Sequence, residues 1–122
     1  MSASFKIDLH GLRFFGEHGM YKEELKVGNE FEIDVSLQCK APKKMITEID
    51  QTINYIEVYR IVQEEFAIRR MLLETCAMEI AHKIQEQFPD VEKVSIVIRK
   101  LNPPITNFSG SVSVTYSKSK KS

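Results

Sequence analysis

Residues 54–88, NYIEVYRIVQEEFAIRRMLLETCAMEIAHKIQEQF, decide the fold, because they form the one long stretch with a helical period and short alternating segments flank it on both sides. Tyr55, Val58, Tyr59, Val62 and Phe66 recur at helical spacing, and Asn54 followed by Glu57 three residues later predicts a capping box at the start of a first helix that runs to about Ile68. Leu72, Leu73, Cys76, Ala77, Ile80, Ala81, Ile84 and Phe88 then trace a second apolar stripe. Pro89 and Asp90 stop that second helix.

On the N-terminal side the period is two. Phe31, Ile33, Val35 and Leu37 alternate with Glu32, Asp34, Ser36 and Gln38, and earlier Phe5, Ile7 and Leu9 alternate with Lys6, Asp8 and His10. These predict two antiparallel neighbours, the first starting near Ser4. They are joined by GEHGMYKEELKVGN (16–29), which is too long for a tight hairpin turn. On the C-terminal side Val94, Ile96 and Ile98 alternate with Ser95, Val97 and Arg99. The loop LNPPITNFSG (101–110) follows, and Val112, Val114 and Tyr116 make a fourth strand.

The predicted order is strand, strand, helix, helix, strand, strand: one α+β domain over residues 1–117, with 118–122 as a flexible basic tail. A four-stranded antiparallel sheet with helices on one face has free edges and one bare face, so subunits are expected to associate. A length of 122 residues allows a single core. Lys and Arg number 17 and Asp and Glu 17, so no basic excess exists to neutralise nucleic-acid phosphates. No apolar run reaches the length of a bilayer span or of a signal-peptide core, and the reading is a cytoplasmic protein with no membrane partner. Cys39 and Cys76 are placed as small buried hydrophobes and not as a disulfide.

Metal and nucleotide chemistry find no motif. His10, His18 and His82 lie on separate elements, so no metal site is predicted. Gly11, Gly16, Gly19 and Gly28 match neither the dinucleotide fingerprint nor the phosphate loop. Polar residues in unexpected places are more informative. Glu74, in the first turn of helix two, reads either as favourable first-turn charge or as an acceptor for a pair of parallel N–H donors. Lys100 shares the parity of Val94, Ile96 and Ile98; it is either a strand-end lysine reaching out to water or one held against an apolar face, where it could act as a base. Tyr55 is either core or an exposed stacking surface. Glu24 lies in a loop charge cluster with Lys22, Glu23 and Lys26, and the His18 imidazole could orient backbone or meet a ligand.

Four segments in order, GLRFFGEHGMYKEELKVGNEFEIDVSL (11–37), DQTINYIEVY (50–59), MLLETCAMEIA (71–81) and RKLNPPI (99–105), resemble dihydroneopterin aldolase across nearly the whole chain. The resemblance implies the tunnelling fold, in which four-stranded sheets from several subunits join into a barrel with helices outside. It implies an octamer of two stacked tetrameric rings. In it Glu74 would accept N–H groups from the amino-pyrimidinone edge of a pterin, and backbone near Leu73 and Ile53 would complete that edge. Tyr55, from a neighbouring subunit, would lie over the ring. Lys100 and Glu24 would act at the hydroxylated side chain, and the reaction would need neither metal nor cofactor nor Schiff base. The activity implied is cleavage of dihydroneopterin to hydroxymethyl-dihydropterin and glycolaldehyde in folate biosynthesis, with epimerisation of the side chain through the same intermediate. Two alternatives stay open: an epimerase of the same fold acting on the triphosphate, for which Arg13, Lys22 and Lys26 would supply cations, and a non-catalytic oligomeric pterin-binding protein.

Overall fold

A computed structural model describes residues 3–19, 29–103 and 105–120. Strands β1 (Ser4–Gly16) and β2 (Asn29–Lys40) come first, followed by a single 3-10 turn (Ile49–Gln51). Helices α1 (Tyr55–Phe66) and α2 (Leu73–Gln87), then strands β3 (Val91–Lys100) and β4 (Val112–Ser119), complete the order. The strands form one sheet in sequence order, every neighbouring pair antiparallel, as the alternating segments predict.

Alternation decides which face is covered. On β2, Phe31, Ile33, Val35, Leu37 and Cys39 are buried under the helices together with Val94, Ile96 and Ile98 of β3. From α1 they meet Val58, Ile61, Val62 and Phe66, and from α2 they meet Leu73, Cys76, Ala77, Ile80, Ala81 and Ile84. Twenty buried apolar side chains in one cluster are what offset the chain entropy lost in so small a domain. Cys39 and Cys76 belong to this core as free thiols, and burial pushes Cys76 up to about 11, which keeps it protonated and unreactive.

The helix start differs in one detail from the capping box read in the sequence. Asn54 Oδ1 accepts from the Ile56 amide at 3.0 Å, as an N-cap should, but the Glu57 carboxylate turns to Arg60 at 2.8 Å. The reciprocal box forms instead at the 3-10 turn, where Glu48 and Gln51 cap each other. Strand β1 is also longer than its alternation suggests. Leu9 faces Val35 but Leu12 faces Ile33, so an extra residue is accommodated at His10–Gly11, where Gly11 has φ +61° and its amide donates to Asp34 at 2.7 Å. Past that bulge Leu12 and Phe14 return to the covered face. At the other edge β4 pairs with β3 through Ser119, and the Lys120 amide donates to the Glu92 carbonyl, so ordered strand extends beyond the boundary set at residue 117.

The opposite face of the sheet is polar. Arg99 bonds Glu32, which also meets Arg13 at 3.3 Å, and Ser117 pairs with Ser95. Among the described residues no helix covers it, and β1 and β4 end the sheet on either side.

Candidate active site

Strand β3 and the two helices sort the candidate residues into two groups. The Val91 amide donates to the Phe88 carbonyl, so the C-terminal end of α2 meets the start of β3 and the helix runs back along the strand. Its first residues, Leu73 and Glu74, therefore lie toward the Lys100 end. Helix α1 runs the same way as β3. Ile53, just before it, lines an open cavity of about 420 Å³ with Cys39, Lys40, Asp90 and Glu92, at the Val91 end. Phe66, its last residue, packs on Phe31, the register partner of Lys100. Eleven steps of 1.5 Å separate Tyr55 from Phe66 by about 16 Å, and a ten-residue strand spans roughly 30 Å.

The first group is thus Lys100, Leu73 and Glu74, and the second is Ile53 and Tyr55. Within one chain the two do not meet. Glu24, with Lys22, Lys26 and Gly28, lies outside the described residues.

Lys100 does not reach out to water. It is only 8% exposed, and its ammonium sits over the Phe31 ring, 5.8 Å from the centroid. Of the two readings of this residue the structure selects the one held against an apolar face. Glu74 is exposed in the first turn of α2, where the N-cap position is Leu72 and contributes no side-chain hydrogen bond. Among the described residues no side chain caps the first amides of this helix, which lie beside an open carboxylate. Leu73 is buried, and so is Ile53. Tyr55 is 60% exposed, which removes the core reading and leaves a ring available to another surface. Arg13 shares the face of Glu32, opposite to Phe31 and Lys100, and is engaged by Glu32 and Glu30, so it lies across the sheet from Lys100.

Beneath Lys100 lies a polar cluster only partly legible in the sequence. His18 is 2% exposed; its Nε2–H donates to the Phe66 carbonyl at 2.9 Å, and its Nδ1 accepts from the Arg70 amide at 3.1 Å. Both nitrogens are committed in the neutral tautomer. Of the two readings of His18, the one in which it orients backbone holds. Burial pushes the imidazole below its ordinary 6.5; the bond to Phe66 opposes this, and the charges of Arg70, Arg69 and Lys100 reinforce it. The folded chain then holds fewer protons than the unfolded one just below pH 6.5. Its contribution to stability is complete above that value and declines as pH falls toward the folded value. Gly16 makes room for the ring, since a Cβ there would stand 2.8 Å from His18 Cδ2.

Arg70, 8% exposed, bonds Glu65 at 2.8 Å and Glu79, and donates to the Glu65 and Ile68 carbonyls. Sequence reasoning did not single it out. A basic residue between two apolar stripes is the signal it left, and such residues are usually solvated.

Comparison with known proteins now bears on this arrangement. The family model described as FolB, dihydroneopterin aldolase, matches residues 7–117. A dihydroneopterin aldolase of Bacillus subtilis is 31% identical over 117 residues, covering 94% of this chain and 98% of the relative. The solved dihydroneopterin aldolase of E. coli in complex with neopterin superposes with a TM-score of 0.78 at 18% identity, covering 93% of this chain and 98% of that one. A Burkholderia dihydroneopterin aldolase bound to guanine gives 0.75 at 16% identity, covering 96% and 92%. The two structures share the ββααββ fold, and the match over nearly the full length of both sequences carries the assignment: the chain belongs to the FolB dihydroneopterin aldolase family.

Proposed function

We propose that this chain is a dihydroneopterin aldolase whose active site is completed between two protomers, Lys100, Leu73 and Glu74 coming from one and Ile53 and Tyr55 from its neighbour. The observation that carries the shared site is the separation of the two groups along α1 and β3. Bare sheet edges and exposed Tyr55 support association, and the octamer of two tetrameric rings is the assembly proposed for it. Its place is the cytoplasm, and its pathway folate biosynthesis.

The substrate class follows from the donors and acceptors. Neopterin and guanine, bound by the E. coli and Burkholderia proteins, share an amino-pyrimidinone edge with adjacent N–H donors. Glu74 offers two carboxylate oxygens to that edge, and the uncapped first turn of α2 offers backbone beside it. Tyr55 supplies a ring to lie over the heterocycle and a hydroxyl near the reacting carbons. Lys100, through a water, removes the proton from the side-chain hydroxyl next to the bond that breaks. That oxygen becomes the carbonyl of glycolaldehyde, and the electron pair of the broken carbon–carbon bond moves into the conjugated imine of the dihydropterin. The resulting enol-like intermediate takes a proton on carbon through Tyr55, which leaves hydroxymethyl-dihydropterin. Because the substrate itself accepts the electron pair, Lys100 does not become covalently attached, and no metal is needed to hold the charge. Glu24 is proposed to work beside Lys100.

Incubation with dihydroneopterin is expected to release glycolaldehyde, and a parallel incubation with the triphosphate tests the epimerase alternative. Inverted side-chain stereochemistry in the triphosphate without release would make it the epimerase, and neither release nor inversion, with pterin still bound, would make the protein a binder. The shared site has its own test. Lys100→Ala and Tyr55→Ala proteins, each with little activity, are unfolded together and reassembled at equal ratio. Random mixing leaves about a quarter of the interfaces with both native half-sites, so about a quarter of wild-type activity should return. No recovery from mixed, assembled protein would rule out a site built across protomers.

A further inference from the structure

We propose that His18 is a positioning residue for this reaction: hydrogen-bonded to the end of α1 at Phe66 and to Arg70 in the α1–α2 turn, and packed on the ring under Lys100, it fixes the spacing between the base and the pterin anchor. The inference rests on the assignment of Lys100 and Glu74 made above.

The geometry converges on one ring. His18 meets Phe31 edge-on at 5.6 Å and Phe66 at 4.2 Å, and the Lys100 ammonium sits 5.8 Å from the centre of the same Phe31 ring. Its Nε2–H holds the carbonyl of Phe66, where α1 ends, and its Nδ1 holds the amide of Arg70, three residues before Leu73. The Gly19 amide donates to the Arg70 carbonyl, and Arg69 donates back to the Gly19 carbonyl at 2.9 Å. The end of β1, the floor under Lys100 and the segment delivering Glu74 are thus tied at a single buried side chain. A reacting centre is sensitive to displacements of about 1 Å, which can cost about a hundredfold in rate while leaving a ligand bound.

The groups facing His18 are cationic on two sides, Arg69 and Arg70 from the turn and Lys100 from β3. Glu65 of α1 and Glu79 of α2 neutralise Arg70. From β2 the neighbour is Phe31, which carries no charge. Protonation of Nδ1 would break the Arg70 amide bond and add a positive charge that Arg70, Arg69 and Lys100 each disfavour. The clamp is therefore closed when His18 is neutral and opens on the acid side.

The test compares wild type, His18→Gln, Arg69→Ala and Lys100→Ala as assembled oligomers, measuring kcat, KM and pterin Kd from pH 5 to 8. Glutamine can donate to Phe66 but cannot also accept from Arg70 in the same geometry, and it does not titrate. We expect His18→Gln to lose about ten- to a hundredfold in kcat at pH 7.5, with Kd within about threefold, and to show a flatter acid limb than wild type. Arg69→Ala, a surface truncation that spares the core, should lose kcat by a smaller factor in the same direction. Wild-type kcat per assembled protomer in both variants, or an acid limb identical in wild type and His18→Gln, overturns the proposal. If His18→Gln does not assemble, normal kcat in Arg69→Ala overturns it alone. Full activity in Lys100→Ala would remove the site assignment and this proposal with it, whereas an inactive Lys100→Ala beside a normal His18→Gln removes only the positioning role.

Discussion

Replacement of Lys100 by alanine is expected to lower kcat by about 10²- to 10⁴-fold, the range that a positioned general base supplies, while pterin Kd changes only a few-fold. The expectation follows from where the amine sits. Lys100 is buried at the last position of β3, on the covered face, and its ammonium lies over Phe31, whereas the carboxylate proposed to hold the heterocycle is that of Glu74 on α2. On the proposed assignment, removing the amine would take away the proton acceptor and leave the edge contacts of the pterin intact. The fold should survive, because Ile96 and Ile98, which anchor β3 under α2, are untouched. Steady-state assays for glycolaldehyde, paired with equilibrium binding of a pterin, separate the two effects. Equal turnover in Lys100→Ala and wild type would take Lys100 out of the mechanism, and equal loss of binding and turnover would make it a binding residue instead.

Most of the architecture can be read from period alone, and the places where reading fails have physical causes. Strand β2 is legible at every position because its two environments differ so sharply, buried Ile33 and Val35 against the ion-paired Glu32 and Asp34. Strand β1 is legible only to Leu9, because the bulge at His10–Gly11 moves the apolar parity by one residue, and Leu12 and Phe14 then look out of phase. The 3-10 turn at Ile49–Gln51 leaves no apolar signature, since it buries nothing. Among the site residues, the parity of Lys100 was visible but its burial was not, because a strand-end lysine can extend along the surface or fold over a neighbouring ring with the same sequence. Arg70 was invisible for a different reason. Its partners, Glu65, Glu79 and the His18-bound turn, are close in sequence but come together only because the chain reverses between α1 and α2, which periodicity does not show.

Replacing Glu74 by alanine should have the complementary effect, weakening pterin binding by roughly 10²- to 10⁴-fold, which corresponds to about 1–3 kcal/mol for each of two lost acceptor contacts in the proposed intersubunit site. Glu74→Gln should be nearly as damaging, because its amide would present N–H groups to the N–H groups of the ligand. The competing explanation of this residue, a first-turn carboxylate that merely complements the helix dipole, makes an opposite forecast. It assigns Glu74→Ala about 0.3–1 kcal/mol of lost stability and no change in binding. The two forecasts are separated by thermal unfolding and pterin titration on the same protein. An unshifted titration with a small drop in Tm would return Glu74 to a helix-start role and leave the first turn of α2 without an anchor. A collapsed titration with unchanged Tm is expected here, because Glu74 is exposed and uninvolved in the core. In the proposed site, its carboxylate would gain only when a ligand and a second chain take it out of water.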